Sequence, residues 1–274
     1  MVWPKESASL FPFPTDPDDH CESPLQAYAH VEPFLSLLGT LLGKGDNKEL
    51  RLYDPYYCNG SVKNHLNRIG YPTVYNEKED CYKVWASDSS YPDFDVLITN
   101  PPYSGDHIEE LIQHVTSPRM TITTSSSHGK NRQKSTSPAT TTTKPWLLLM
   151  PEWVHKKEYF IDAMRTSQIQ PFYLVPHKRY IYLPPKDYRQ AKKSDVHKKS
   201  SPFPSMWYIW GGSHEWNDKL MQQYYSHNNK CLVVVEEDTS TSDSQQQRVA
   251  LSSVCDLARS KSALRDLRRK HKKR

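Results

Sequence analysis

Asn100, Pro101, Pro102 and Tyr103 directly follow the apolar stretch Val96-Leu97-Ile98 and Thr99. The apolar residues read as a short buried strand, and two consecutive prolines cannot continue its ladder. The strand must therefore stop at Asn100. That leaves a polar side chain and the carbonyls around Pro101 at the carboxyl edge of a sheet, where open α/β folds bind ligands. The chemistry such a turn suits is transfer of a methyl group to an exocyclic amine. The lone pair of such a nitrogen is delocalised into its ring, so it has to be localised before it can attack. The Asn100 side-chain oxygen and the Pro101 carbonyl can accept the two N–H bonds of the amine and aim the lone pair at a methyl donor, which is positioning plus electrostatic stabilisation. Pro101 and Pro102 stiffen this acceptor-rich turn, and Tyr103 offers a face on which a base can stack. A base buried in a duplex cannot reach such a pocket, so the target is single-stranded or flipped out. An aromatic platform worth about 1–3 kcal/mol per base offsets part of that cost. Taken alone, Asn-Pro-Pro is also ordinary loop punctuation, so the elements around it decide the reading.

Upstream, Leu50 to Tyr53 reads as a strand, Asp54 to Gly60 as a tight loop, and Ser61 to Ile69 as a helix stopped by Gly70. Asp54 at the strand end and Gly60 at the helix start can hold a cofactor against the sheet edge. Gly70 to Glu77 supplies a second strand that ends in an acid, and a carboxylate there can accept ribose hydroxyls. Before the first strand, Cys21-Glu22-Ser23-Pro24-Leu25-Gln26-Ala27-Tyr28 opens a helix whose face Val31, Phe34, Leu35, Leu38 and Leu41 is apolar. Ser23 reads as its N-cap, with Pro24 at the first position.

Together these segments resemble the class I S-adenosylmethionine-dependent methyltransferases, specifically the N6-adenine-type amino-methyltransferases that carry an Asn-Pro-Pro-Tyr or Asn-Pro-Pro-Phe motif. The family's Asp-Pro-x-x-Gly-x-Gly-like loop corresponds to Asp54-Pro55-Tyr56-Tyr57-Cys58-Asn59-Gly60, with Cys58 in place of the first glycine. The catalytic tetrapeptide follows Asp54 in the family's order. The resemblance spans roughly residues 21–211. It implies a Rossmann-like α/β fold: a mostly parallel, seven-stranded-type sheet with an antiparallel final strand and helices on both faces. It implies S-adenosyl-L-methionine as cofactor, held by Ser23, Tyr28, Asp54, Tyr56, Cys58, Gly60, Glu77 and Asp80, the last toward the adenine amine. It implies catalysis by Asn100, Pro101, Pro102 and Tyr103 without a metal, on adenine N6 in RNA or DNA. Release-factor glutamine methyltransferases carry the same tetrapeptide, so a protein-glutamine substrate is the alternative. A noncatalytic nucleic-acid-binding module is another.

The chain of 274 residues has room for one such domain with tails. Residues 1–20 read as an extension and 21–237 as the domain. Residues 116–144, in which 15 of 29 positions are Ser or Thr, read as a disordered insertion at the amino edge of the sheet. Further strands are expected at 146–150, 172–175, 179–183, 206–210 and 231–235, and helices at 106–115, 156–165 and 216–225. The loop 184–205 carries Lys186, Arg189, Lys192, Lys193, Lys198 and Lys199. It leaves the sheet on the Asn100 side and suits a phosphate backbone.

Five cysteines, at 21, 58, 81, 231 and 255, form no Cys-x-x-Cys pair and no even framework, which argues against a zinc site or disulfide scaffold and for a reducing compartment. The net charge of +5 is a property of the end of the chain. Residues 259–274 hold nine cations and the single acid Asp266, so the rest carries −3. The segment 238–274 reads as a disordered basic tail that binds nucleic acid or acts as a nuclear address. No apolar run approaches a membrane span. The expectation is an intracellular protein, nuclear or cytoplasmic with the basic tail favouring the nucleus, whose lack of a large target-recognition domain leaves room for a protein partner.

Overall fold

A computed structural model describes residues 12–13, 21–124, 140–182, 203–227, 232–235, 247–250 and 255–272. In chain order the main elements are α1 (Leu25–Leu41), β1 (Leu52–Tyr53), α2 (Ser61–Arg68), β2 (Val74–Tyr75), α3 (Cys81–Ala86), β3 (Val96–Thr99), α4 (His107–Val115), β4 (Thr121–Thr124), β5 (Thr140–Thr143), β6 (Trp146–Pro151), α5 (Glu158–Ser167), β7 (Phe172–Pro176), β8 (Ser205–Trp210), α6 (His214–His227), β9 (Leu232–Val235), β10 (Gln247–Ala250), β11 (Cys255–Ala258) and α7 (Lys261–Lys272). Seven strands form one sheet in the order β11-β7-β8-β6-β3-β1-β2. β2, β1, β3 and β6 are parallel neighbours. β8 runs antiparallel to both β6 and β7, and β11 antiparallel to β7. This is the Rossmann-like α/β architecture expected, with two antiparallel strands, β8 and β11, in place of a single final one.

Strict alternation in the strands sorts side chains onto two buried faces. Leu147, Leu149, Phe172, Leu174, Trp207 and Ile209 meet α1, α2 and α6 through Phe34, Leu66 and Leu220. Trp146, Leu148, Met150, Tyr173, Met206 and Tyr208 meet α3, α4, α5 and α7 through Trp85, Leu111, Phe160 and Leu264. With both faces covered, polar chemistry is confined to the strand ends. At the amino ends of β1 and β3, Arg51 grips Asp95 with two guanidinium bonds, 3.1 Å from Nε and 2.7 Å from Nη2, and Lys44 adds a third contact at 2.8 Å. Against the burial that would raise it, these cations hold the Asp95 carboxyl down at about 2. At the other end of β1 the chain steps to β2 on one side and later to β3 on the other. The carboxyl edge there is a topological switch point, where a crevice opens.

Several expectations are corrected. The segment 238–274 is not a solvated tail throughout. Residues 255–258 are an edge strand of the main sheet, and 261–272 form a helix whose Leu264 is fully buried. The charge of this segment masks a sparse apolar pattern, Leu257, Leu264 and Leu267, that suffices for one packed face. Residues 116–144 are structured at both described ends. Pro118–Met120 make a helical turn that buries Met120, and β4 pairs with β5, since β-branched threonine favours extended backbone. Residues 125–139 lie outside the described residues. This hairpin precedes the amino end of β6, on the edge expected. Residues 179–182 form no strand, because β8 and β11 already occupy both sides of β7. Tyr180 and Tyr182 instead plug inward while Ile181 faces out. β9 pairs with β10 in a separate ladder and does not complete the main sheet.

Removing residues 255–274 should therefore strip β7 of its outer partner β11 and uncover the second core. We expect the thermal midpoint to fall by at least ~5 °C, since about 1 kcal/mol corresponds to several degrees in a protein of this size. Differential scanning calorimetry of the full and shortened chains decides it, because loss of a solvated tail would leave the midpoint where it was.

Candidate active site

The carboxyl ends of three adjacent parallel strands converge on one cleft. Asp54 follows β1, Asn76 follows β2 and Asn100 follows β3, and all three line it. The cleft has about 310 Å³ of empty space, part of it open to solvent, and its other walls include Cys21, Glu22, Ser23, Tyr28, Tyr56, Cys58 and Gly60. Seven of the residues singled out from the sequence, Ser23, Tyr28, Asp54, Tyr56, Cys58, Gly60 and Asn100, thus face a single space although they come from three separate segments.

Asp54 is buried and accepts the Thr99 hydroxyl and, at 3.2 Å, the Tyr56 backbone N–H. Burial pushes its carboxyl up to about 7, against these two donors that hold it down. Gly60 starts α2 with φ +78°, in the left-handed region that favours glycine, and a Cβ there would come within 2.9 Å of the Tyr57 hydroxyl, which would have to shift. No side chain caps this helix, and Gly60, Ser61 and Val62 at its start line the cleft. At Cys58, burial first and then the nearby Glu22, Cys21 and Asp54 raise the thiol, which stays protonated and behaves as a small apolar residue.

The cleft is rich in acceptors that lack donors. Glu22 Oε1 and Asn76 Oδ1 are both buried without a hydrogen-bond partner. Asn76 is held by its amide, which donates to the Asp54 carbonyl at 3.0 Å and the Tyr56 carbonyl at 3.4 Å, so that its free oxygen is fixed in place. Neither residue was singled out from the sequence. A buried Asn one position after a strand carries no signal of its own, and Glu22 sits before the first helix in a segment read for its capping pattern.

The structure moves four expected roles. Glu77 does not enter the cleft: it is 54 % exposed and paired with Lys63, and the position that turns inward after β2 is Asn76, because strand alternation puts consecutive residues on opposite sides. Asp80 caps α3, accepting from the backbone N–H of Tyr82 at 3.1 Å and of Lys83 at 3.5 Å. Ser23 does not cap α1, which has Pro24 at its N-cap and no side-chain cap. Its hydroxyl bonds the buried Tyr28 phenol instead. Tyr103 does not offer an open face for stacking. Its ring packs against the second core and its hydroxyl donates to Asn100 Oδ1 at 2.7 Å, within reach of the Leu149 carbonyl at 3.4 Å and the Tyr182 hydroxyl at 3.4 Å. It therefore orients Asn100. Pro101 is buried and Pro102 half-buried behind the turn. Lys186, Arg189, Lys192, Lys193, Lys198 and Lys199 lie outside the described residues.

Among the described residues no cluster of three or more His, Cys, Asp or Glu is placed to hold a metal, and no helix is long and apolar enough to cross a membrane. No known protein family, curated protein or solved structure matches this chain.

Because the fold raises the Asp54 carboxyl above its unfolded value, the contribution it makes is greatest below that unfolded value and is lost as the pH climbs through about 7. Asp54→Asn, which keeps the shape and an acceptor oxygen, should remove this dependence. Between pH 5 and pH 8 the parent should lose about 2–3 kcal/mol of stability relative to the variant. Urea unfolding of both proteins at the two pH values measures the difference, and parallel stability curves would place the Asp54 carboxyl in the ordinary carboxylate range.

Proposed function

We propose that this protein is an S-adenosylmethionine-dependent methyltransferase acting on an exocyclic amine, with adenine N6 in RNA or DNA as the favoured target. The observation that carries the reading is that the Asp54–Gly60 loop and Asn100 open onto one cleft at the switch point of the sheet. S-adenosylmethionine, when bound, supplies an electrophilic methyl on a sulfonium.

The residues fit that group. Its ammonium and ribose hydroxyls are donors, and Glu22 Oε1 and Asn76 Oδ1 are buried acceptors without partners. Its carboxylate suits the uncapped N–H groups that open α2. Asp54 sits between, and a neighbouring cation favours its ionised form.

Asn100 Oδ1 has a second lone pair beside the one taken by Tyr103, and with the Pro101 carbonyl it receives the two N–H bonds of the incoming amine. Tyr103 fixes the direction of Asn100 before substrate arrives, so little reorganisation is needed as charge develops on the nitrogen. A methyl so supplied would pass to the nitrogen held by Asn100 and the Pro101 carbonyl, with the sulfur leaving as a neutral thioether. The surplus proton then passes to solvent.

Calorimetric titration with S-adenosylmethionine tests the cofactor half. We expect micromolar binding, about −8 kcal/mol, that strengthens from pH 6 to pH 8 as Asp54 ionises, and a weaker, pH-independent binding by Asp54→Asn. Asn100→Ala should leave cofactor binding unchanged while lowering methyl transfer to adenine-containing oligonucleotides at least ~100-fold. A folded protein that does not bind the cofactor, or one that binds it with Asn100→Ala fully active, would end this assignment.

A further inference from the structure

We propose that the C-terminal helix α7 and the Trp153–Phe203 ring pair form a binding strip for single-stranded nucleic acid beside the cleft. The strip leads a strand toward Asn100.

A chain of contacts fixes its place. Tyr103, bonded to Asn100, reaches the Leu149 carbonyl on β6. Glu152 lies three residues further along, about 10 Å at the rise of an extended chain, just past the carboxyl end of that strand. Its backbone N–H donates to the Pro204 carbonyl at 2.9 Å, and its carboxylate pairs with Arg268. Arg268 also reaches the Glu152 carbonyl at 3.4 Å. Both groups of this ion pair are about three-quarters covered, which makes it an anchor for the helix rather than a surface contact. A basic helix is thus pinned to the edge of the sheet that carries Asn100.

The exposed chemistry around the anchor is cationic and aromatic. Lys156, Lys157, Lys261, Arg265, Arg269 and Lys270 all face solvent. Lys261, Arg265 and Arg269 recur at four-residue spacing, one stripe of the helix. The exposed acids among them are Glu158 and Asp266, and Asp266 lies 3.9 Å from Arg269 in a pair too open to neutralise it. The His155 imidazole is held down at about 4 by burial first and then, against its bond to the Glu152 carbonyl, by the charges of Arg268, Lys156 and Lys261. Next to them the Trp153 and Phe203 rings pack edge-on at 6.1 Å, Lys157 lies 5.2 Å over Trp153, and Phe203 is 42 % exposed. Cations that follow a backbone, interleaved with rings on which bases stack, are the means by which proteins hold single strands with little sequence preference. A duplex hides its base faces and would use the cations alone.

This inference names the substrate class for the amine-methylation reading and depends on it only for the direction in which the strand is led. Fluorescence anisotropy of the full chain with a labelled ~12-nucleotide oligonucleotide, as single strand and as duplex, tests it alongside cofactor calorimetry on the same preparations. The variants are Arg269→Ala/Lys270→Ala and Phe203→Ser, all at exposed positions. We expect single-strand binding at least ~5-fold tighter than duplex, a loss of ~10-fold or more in the double variant with a log–log salt slope shallower by roughly 1.4, and a loss of ~5-fold or more in Phe203→Ser. Equal affinity of parent and variants would overturn the strip, as would a duplex preference or loss in the helix variant with none at Phe203. Cofactor binding without oligonucleotide binding would sink this inference alone. Oligonucleotide binding that needs both Phe203 and the helix cations, in a protein that does not bind the cofactor, would support the strip and remove the methyltransferase reading.

Discussion

The hydrogen bond from the Thr99 hydroxyl to the buried Asp54 carboxylate is the constraint on which the cleft depends. It joins the last residue of β3 to the residue that follows β1, two parallel neighbours whose amino ends are already clamped by Arg51 and Asp95. Held at both ends, the strand pair cannot shift in register without breaking either a bidentate ion pair or a buried carboxylate bond. A one-residue slip would also turn Leu52, Val96 and Ile98 out of the first core. The loop after Asp54 and the turn after Thr99 therefore leave the sheet at fixed points. Asn76 extends the same logic to β2, because its amide bonds the carbonyls of Asp54 and Tyr56 and fixes the loop from the other side.

A cleft built this way has an unusual balance of polar groups. Four of its donors are used internally: the Thr99 hydroxyl and Tyr56 N–H go to Asp54, the Asn76 amide to two carbonyls, and the Tyr103 hydroxyl to Asn100. The oxygens of Glu22 and Asn76 are left over. A buried acceptor without a partner costs roughly 1–3 kcal/mol, so an arrangement that keeps two in one cleft favours ligands that bring donors or positive charge. The raised Asp54 carboxyl works in the same direction, because a neighbouring cation would favour its ionised form.

Much of this was legible in the sequence wherever local pattern and fold agree. The apolar runs that became β3, β6, β7 and β8, and the helices α2 and α4, follow from alternation, 3.6-residue periodicity and the stops at Gly70 and the paired prolines. Asp54, Gly60 and Asn100 were found because each ends or begins an element. What was missed turns on direction rather than type. Glu77 and Asn76 are adjacent, and only the placement of β2 decides which faces the cleft. Tyr103 is aromatic in sequence, but its hydroxyl has three acceptors within reach only after β6 and Tyr182 are in place. Residues 179–182 have a strand's alternation, and the neighbours of β7 left no edge for them. The C-terminal segment was hidden by its charge, since three leucines among nine cations give little periodicity until an ion pair with Glu152 supplies the anchor.

That last case shows how burying both faces of the sheet decides where charge gathers as well as how the fold is held. Apolar side chains from both sides of every central strand are committed to helices, so cations can gather only along the rim or on the outer stripes of helices. The carboxyl rim is also where the parallel strands release their polar ends. A helix that needs a counter-ion to hold it down finds one in Glu152, immediately beyond β6, and in docking there it brings its remaining cations to the side of the molecule that holds Asn100. The location of positive charge near the cleft is thus a consequence of the sheet's two-sided burial.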